Sequence, residues 1–283
     1  VLVPDSVMKT SLLLLLLSTL LAATSASAAT VRIPDPKFLQ RLVALGYDKD
    51  GDGRIQDVEA AEVQTLNLRG LGLVNLEGIR ACKNLEELDA SRNPELTSID
   101  VSGLTKLKEL NLNLNSGLTA LNLSGTTGLE GLYALDASLR TLNLKDVTRL
   151  VNLMVSGNQL TELDVSQQKN LNDLRCAENR LRRLDLSGLA KLTDVWADKN
   201  QIEVLLLQGA TRLQFLALAG NRITTCDFTP HPDLETVVLS DNPLTGVKVR
   251  GLRKLKGLFL SGPSSTLTTL DLCGTYSLEK LTW

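Results

Sequence analysis

Apolar and polar positions recur along this chain with a period of 21 to 23 residues. The period is clearest in LNDLRCAENRLRRLDLSGLAK (171–191), where apolar first, fourth and sixth positions are followed by an asparagine and a second apolar run. Ten leucines hold the first position: Leu85, Leu107, Leu129, Leu150, Leu171, Leu192, Leu213, Leu234, Leu255 and Leu278. Such a period predicts one structural unit copied about nine times, with a tenth, shorter copy reaching Trp283, stacked into a solenoid.

Each unit contains two extended segments with alternating inward positions. The first uses its first, fourth and sixth residues, and the second, as in LTELDV (160–165), uses Leu160, Leu163 and Val165. Alternation of this kind is typical of half-buried strands. A 21-residue coil has little room for a helix between them. We therefore expect a parallel β-sheet on one face and extended or turn-like segments on the other.

Two polar columns accompany the leucines. Asparagine is expected to bond main-chain groups where the first strand turns, and Ala137 and Pro263 interrupt its column, which predicts less regular turns there. An Asp/Asn column is expected to cap local backbone on the other side. The first column is Asn93, Asn115, Asn158, Asn179, Asn200, Asn221 and Asn242. The second is Asp100, Asn122, Asn143, Asp164, Asp185, Asp227 and Asp271, with departures at Leu206 and Lys248.

The N-terminal stretch has the features of a secretory signal peptide. Met8, the candidate start, and Lys9 precede an apolar run from Leu12 to Ala23, and Ala26-Ser27-Ala28 fits a cleavage site. The run is shorter than the roughly 20 residues that a membrane-spanning helix needs. We therefore assign residues 1–28 to a signal peptide. The chain is expected to be exported to the cell surface, periplasm or extracellular space, without a membrane span after cleavage.

The next segment predicts a calcium site. A short amphipathic helix in FLQRLVALGY (38–47) precedes DKDGDGRIQDVE (48–59), which matches the EF-hand pattern D-x-D-x-D-G-x5-E at every specified position. A bare acidic turn does not explain a glutamate at the twelfth position. The expected Ca²⁺ ligands are Asp48, Asp50, Asp52, the Arg54 carbonyl, Gln56 and Glu59.

These patterns divide the mature chain into three parts. Residues 29–62 form an EF-hand-like helix–loop–helix cap, residues 63–84 a degenerate first coil, and residues 85–283 the repeats. The ion is expected to be structural, because a solenoid must cover the open end of its core and this cap lies beside the first coil.

Composition excludes several function classes. The net charge is −2, and no basic stripe exists to neutralise phosphates, so nucleic acid is not an expected partner. The single histidine, His231, lies in a TPHPD turn and provides no catalytic arrangement, so an enzyme is not predicted. Cys82, Cys176, Cys226 and Cys273 fall in different positions of the repeat. Because the closest array pair is about 10 Å apart, free thiols are expected, at least two of them buried.

The outward positions of the first strand are the candidate binding surface. Aromatic residues with Arg and Met are typical of binding hot spots. The candidates are Tyr133, Met154, Arg175, Trp196, Phe215 and Phe259, with acidic neighbours at Glu87, Glu109, Asp173, Asp194 and Asp198. Stacking of like side chains for stability is the competing explanation. The expected partner is another protein, from a host or a bacterial surface; a glycan-binding surface and a spacer array without a ligand are the alternatives.

The whole arrangement resembles a known family. The repeat form LxxLDxSxNxxLTxLDVS, the single EF-hand loop and the signal peptide are similar to exported bacterial leucine-rich-repeat proteins, especially those of the Bacteroidetes, and more distantly to internalins. The resemblance covers about residues 36–283. It implies a leucine-rich-repeat solenoid and a protein-binding or adhesion role at the cell surface, but a fold does not determine a function.

Overall fold

The computed structural model describes residues 28–263 and 266–283 as a stack of coils built on an 11-stranded parallel sheet, the main sheet. Strands are numbered in chain order, and each has three residues. The main sheet contains, in spatial order, β1 (Thr65–Asn67), β2 (Glu87–Asp89), β4 (Glu109–Asn111), β6 (Gly131–Tyr133), β7 (Asn152–Met154), β8 (Asp173–Arg175), β10 (Asp194–Trp196), β12 (Phe215–Ala217), β14 (Thr236–Val238), β16 (Gly257–Phe259) and β18 (Lys280–Thr282). The predicted leucine-rich-repeat solenoid is confirmed. The predicted signal peptide lies outside the described residues except for Ala28.

The opposite side of the coils, the back face, has shorter parallel sheets. One sheet pairs β3 (Ser98–Asp100) with β5 (Ala120–Asn122), and a second pairs β9 (Arg183–Asp185) with β11 (Val204–Leu206). The third contains β13 (Thr225–Asp227), β15 (Gly246–Lys248) and β17 (Thr269–Asp271). The back face is thus interrupted, as the expectation of extended or turn-like segments implies.

The alternating pattern is the cause of the fold. The middle residue of each main-sheet strand from β1 to β16, such as Leu174 or Val195, is buried, and its two neighbours lie on the outward side. In the last strand, β18, the middle residue Leu281 is 36% exposed. One continuous apolar core extends from Phe38 to Leu260. Complete burial of a leucine side chain contributes about 1.5–3 kcal/mol, and each coil obtains this only from its neighbours.

The asparagine column bonds the turn backbone of successive coils. Asn179 is typical: its Nδ2 donates to the carbonyls of Cys176 and, one coil earlier, of Val155, and its Oδ1 accepts from the amide of Leu160. The donor–acceptor distances are 2.9–3.1 Å. Asn179 is buried, so these bonds satisfy main-chain groups that water does not reach. The predicted structural role is confirmed.

The interruptions of this column have different outcomes. At Ala137 the preceding Asp136 keeps the left-handed φ of 53° found at the matching positions of other coils, so the prediction of a less regular turn is wrong there. At Pro263 the preceding Gly262 lacks the positive φ, as predicted. The difference follows from the side chains, because alanine fits the asparagine position whereas proline constrains its own φ and that of its neighbour.

The second column caps the back face as expected. All seven members accept a hydrogen bond from the amide two residues later, for example Asp185 from Ser187 at 3.0 Å and Asn143 from Lys145 at 3.0 Å. This local bond ends the short back strand and turns the chain toward the next coil.

Two short helices precede the first coil. Helix α1 (Pro36–Ala44) begins at the N-cap Asp35 and buries Phe38 and Leu42 in the common core. Helix α2 (Asp57–Ala60), at the position of the expected outgoing helix, is a single turn. The reason is packing: Ala60 and Val63 are already buried, and the chain turns directly into the first coil. A 3₁₀ turn, Ile79–Ala81, follows in that coil.

The four cysteines are free thiols, and Cys82 and Cys176 are buried as small apolar residues, as the repeat register predicts. Burial raises the pKa of the Cys176 thiol to about 12, so it is unreactive at neutral pH. Among the residues that the structure describes, no helix has the length and apolar character needed to cross a membrane.

Candidate functional site

The outward face of the main sheet, called the sheet face below, brings most of the predicted binding residues together. Tyr133, Met154, Arg175 and Trp196 end four adjacent strands and are consecutive partners in the sheet register. Phe215 begins the next strand, β12. Phe259 lies three strands beyond Trp196, about 14 Å away at the usual strand spacing.

Trp196 is the centre of this cluster. It is 39% exposed, and its ring centroid lies 4.4 Å from that of Phe215 in a tilted arrangement. The Arg175 guanidinium lies 5.6 Å from the Trp196 ring centroid and forms an ion pair with Asp173 at 2.9 Å. The guanidinium is therefore already held by an aromatic ring and a carboxylate, which gives the cluster a rigid, defined shape.

A second feature of the sheet face is the carboxylate of Glu109. It lies over Gly131 on the neighbouring strand, where any larger side chain would collide with it. Burial raises the pKa of Glu109, and the like charges of Glu130 and Glu87 raise it further, although a hydrogen bond with Tyr133 acts in the opposite direction. Burial likewise raises the pKa of Tyr133. The face therefore holds a negative charge in an unfavourable position.

The distribution of ion pairs separates the sheet face from the rest of the surface. Eleven ion pairs form among the described residues, and only Asp173–Arg175 lies on the sheet face. Back-face and flanking acids such as Asp185 and Glu235 have Arg or Lys partners. Within the described ranges, Glu87 and Glu109 have no such partner.

Some outward positions differ from the sequence expectation. Ala217 is the register partner of Trp196 and occupies an outward position of β12, but its side chain is buried. The Lys280 ammonium lies 5.2 Å from the ring centroid of Phe259. The same ring packs against Gly257. The most exposed aromatics, Tyr276 and Trp283, are each 84% exposed in the last coil, outside the predicted set. Their exposure depends on how neighbouring coils pack against them, and the repeat pattern of one coil does not specify that packing.

The acidic loop brings three of its predicted calcium ligands together. Carboxylate oxygens of Asp48, Asp50 and Asp52 lie within 4.8 Å of one another. Both oxygens of Asp48 accept backbone amides, those of Gly51 at 2.8 Å and Gly53 at 3.0 Å, which orients the carboxylate inside the loop. Gly53 has φ 78°, a conformation that glycine adopts without strain. Three convergent carboxylates on a tight turn fit a hard divalent cation.

The remaining predicted ligands border this cluster. The Gln56 amide Nε2 donates to Asp50 and Asp52 at 3.4 and 3.2 Å. The Glu59 side chain is buried, and its oxygens accept the amides of Lys49 and Gln56 at 2.6 and 2.9 Å. Glu59 therefore ties the two ends of the loop together, and it lies outside the cluster of converging aspartates. Arg54 is held through its amide, which donates to Asp52 at 2.8 Å.

A short antiparallel pairing supports the end of this loop. The amide of Val31 donates to the carbonyl of Ile55, and the amide of Asp57 donates to that of Ala29, around a Thr30–Gln56 bridge. Ile55 is buried, as the motif predicts. The leading residues 29–31 thus fix the loop to the cap from one side, while Asp35 fixes α1 to the first coil by accepting the amides of Val74 and Asn75.

Grooves lie on the described part of the back face at places that the sequence reasoning missed. One, of about 740 Å³, is lined by residues from Thr161–Ser166 and Arg180–Asp185. Another, of about 420 Å³, lies beside Leu206 and His231. Both occur where the back-face strands are unpaired, before β9 and between β11 and β13. Leu206 in the Asp/Asn column is the only sequence signal, and it marks the second groove.

His231 is buried in its turn, and its Nδ1 lies 3.1 Å from the Ala210 carbonyl oxygen. Burial lowers the pKa of His231, outweighing the hydrogen bond with Ala210, so the ring is neutral at physiological pH. The ring thus holds the turn against the preceding coil, which agrees with the structural role predicted for the turn.

Comparison with known proteins shows likeness at the level of structure. No protein-family model and no curated protein sequence matches the chain. The functional domain of InlJ from Listeria monocytogenes is 21% identical, with a TM-score of 0.57 over 90% of this chain and 76% of that one. The leucine-rich-repeat domain of APL1B is 20% identical, with a TM-score of 0.53 over 72% and 67%.

A third neighbour is TLR13 in complex with ssRNA13, which is 22% identical, with a TM-score of 0.53 over 73% of this chain and 37% of that one. The InlJ domain includes a cysteine ladder. The four cysteines of this chain fall in four different columns and form no such ladder. At these identities the likeness concerns the fold alone. The chain thus has the leucine-rich-repeat solenoid fold that these neighbours share.

Proposed function

We propose that this protein is an exported, non-catalytic module that binds a protein partner through its sheet face and carries a structural calcium ion in the loop of residues 48–59. The observation that supports partner binding is the cluster around Trp196, where aromatic, cationic and acidic side chains share one rigid surface. Clusters of Trp, Arg and other aromatics provide most of the binding free energy in protein interfaces.

The alternatives are less well supported. A sugar stacks on an open aromatic face, and both Phe215 and Arg175 already lie against the Trp196 ring, which leaves less of it open. A spacer array has no need of exposed tryptophan, whose burial or replacement by a polar residue favours solubility. Catalysis is not proposed, because His231 is enclosed in the core.

The test is capture of surface proteins from host cells and from bacteria by the wild type and by Trp196→Ala with Phe215→Ala. The matched control is Val204→Ala, which removes an apolar side chain that is 42% exposed on the back face. We expect the double variant to lose a partner that the control retains. A glycan array probes the carbohydrate alternative in parallel. Equal capture by all three proteins would refute binding through this face.

The calcium proposal is supported by the donor set and by its position. Asp48, Asp50 and Asp52 converge, and Gln56 borders them through its side-chain amide. Glu59 and the Arg54 carbonyl, the other predicted ligands, lie outside this cluster of aspartates. When bound, the ion neutralises carboxylates that otherwise repel one another. The loop joins α1 to α2, and both pack on the first coil, so ordering the loop stabilises the cap over the open end of the core.

Calcium removal tests this part. At 100 times its dissociation constant, a ligand that binds only the folded state adds about 2.7 kcal/mol to the free energy of unfolding. We expect EDTA to lower the melting temperature of the wild type by several degrees and to leave that of Asp48→Ala unchanged. Asp57→Asn, a charge change in the same loop but outside the predicted ligand set, should retain the calcium response. An unchanged melting temperature of the wild type with and without calcium would contradict this proposal.

A further inference from the structure

The sheet face is divided by charge. The outward positions of the six strands from β2 to β10 carry five carboxylates against one guanidinium, which is Arg175. The outward positions of β12, β14, β16 and β18 carry no carboxylate and one ammonium, from Lys280. The acidic half and the apolar half meet at Trp196 and Phe215.

The acids of this half are arranged unfavourably for folding. Glu87 and Glu109 are direct partners in the register of β2 and β4, and Asp173 and Asp194 are direct partners in β8 and β10. Neighbouring strands are about 4.8 Å apart, and like charges directly opposite each other destabilise a sheet. Arg175 forms an ion pair with Asp173, and its charge also acts on Asp194, whereas no Lys or Arg pairs with Glu87 or Glu109 among the described residues. Elsewhere on the described surface, the coils offset such charges with cross-coil pairs, as Lys108 does for Glu86.

From this placement we infer that the partner presents a basic, extended polypeptide segment. Its Lys or Arg side chains bind the two carboxylate pairs, and an apolar side chain that follows them contacts Trp196 and Phe215. The inference rests on the proposed binding role of the sheet face. A cation between each pair removes the repulsion, so the stability lost on folding is recovered on binding. The same charge disfavours nucleic acid, whose phosphates would meet carboxylates.

The strand spacing determines the spacing of the ligand. Four strand intervals separate the Glu87–Glu109 pair from the Asp173–Asp194 pair, which is about 19 Å, or about six residues of extended chain. One further interval of about 5 Å, or one to two residues, reaches the gap between Trp196 and Phe215. The expected segment therefore has two basic positions about six residues apart and an apolar residue one to two residues beyond the second.

Neutralisation of the first pair provides the most direct variant. Glu87→Gln with Glu109→Gln keeps the side-chain shapes and removes two charges. Its matched control is Asp164→Asn with Asp185→Asn, which makes the same change on the back face. That control retains the backbone cap, because Asn122 and Asn143 already perform the same function in their coils.

The experiment uses a random 12-residue peptide library displayed on phage, selected on the full mature protein at low salt. We expect enriched peptides to share the basic spacing and the apolar residue. Synthetic copies should bind the Glu87→Gln/Glu109→Gln variant about tenfold more weakly than the wild type or the back-face control. This difference should shrink at 1 M salt, where the Debye length is about 3 Å.

The outcomes separate the two levels of the proposal. Enriched peptides without excess Lys or Arg, or with affinity unchanged by the double Gln variant, would overturn the basic-segment inference. If those peptides were still weakened by Trp196→Ala, the sheet face would remain the binding surface. Peptides unaffected by both variants, or no enrichment at all, would contradict the proposed function itself.

Discussion

Carboxylates on the back face and on the sheet face have pKa values shifted in opposite directions. On the back face, hydrogen bonds from Ser166, Ser187 and Thr229 lower the pKa values of Asp164, Asp185 and Asp227, respectively. On the sheet face, burial raises the pKa values of Glu109 and Asp198. Back-face acids are thus stabilised in their charged form, whereas these sheet-face acids are destabilised in it.

This difference separates structural acids from candidate functional ones. A carboxylate that caps the backbone two residues later is explained by the coil that contains it. A carboxylate with a raised pKa, a like charge on the next strand and no basic partner has no such explanation within the fold. Perturbed groups of this kind on a shared surface are typical of functional sites. The electrostatics of the sheet face, as well as its exposed aromatic residues, therefore favour a binding role.

The largest expected effect concerns the interior that both faces share. Asn179→Ala leaves the buried Leu160 amide without its partner. The carbonyls of Val155 and Cys176 each lose one of two amide donors and keep the other, which comes from another member of the asparagine column. Each buried group left without a partner costs about 1–3 kcal/mol, so a substantial fall in the urea midpoint is expected. Asn172→Ala is the control, since it loses one exposed bond to the Lys191 carbonyl. Equal losses in both variants would show that the column does not stabilise the coils.

A smaller effect is expected from the back face. Asp185→Ala removes the cap on the Ser187 amide and should lower the free energy of unfolding by about 0.5–1.5 kcal/mol at pH 7. Asp185→Asn should retain most of the stability, because Asn143 caps its own coil in the same way.

The pH dependence of the Asp185 variants shows whether the charged form of Asp185 stabilises the folded state. Since the folded pKa of Asp185 is lowered, its contribution is present above the ordinary aspartate value and is lost as the pH falls below about 4. Denaturant titrations at pH 7 and pH 3 measure it. A deficit in Asp185→Ala that persists at pH 3 would contradict a contribution from the charged form.

The smallest effect should have the opposite sign. Because the folded pKa of Glu109 is raised, its charged form opposes folding, and stability is lost as the pH rises from about 4 through the raised value. Glu109→Gln should therefore stabilise the protein at pH 7, by less than about 0.5 kcal/mol because the side chain is partly exposed. Thermal melts at pH 4 and pH 7 test this. A destabilised variant at pH 7 would assign Glu109 a structural role and remove the contrast between the faces.

Much of the fold was predictable because each coil repeats one short physical rule. Leu174 and its equivalents fall on inward positions of a strand, and Asn179 lies where a turn needs a side-chain donor and acceptor. The Asp48 loop was predictable as a motif because its ligand spacing is local. The single-turn length of α2 was not, since it depends on how soon Ala60 and Val63 are buried against the first coil.

The sequence by itself therefore determined the repeat, the inward leucine positions and the column that holds the candidate aromatic residues, because these depend on spacing within one or two coils. Only the tertiary structure decided which outward residues touch. It placed Phe215 on Trp196, aligned Glu87 with Glu109, buried Ala217 and left Tyr276 exposed. These outcomes depend on register between strands about 20 residues apart and on the packing of neighbouring side chains. No single coil contains that information.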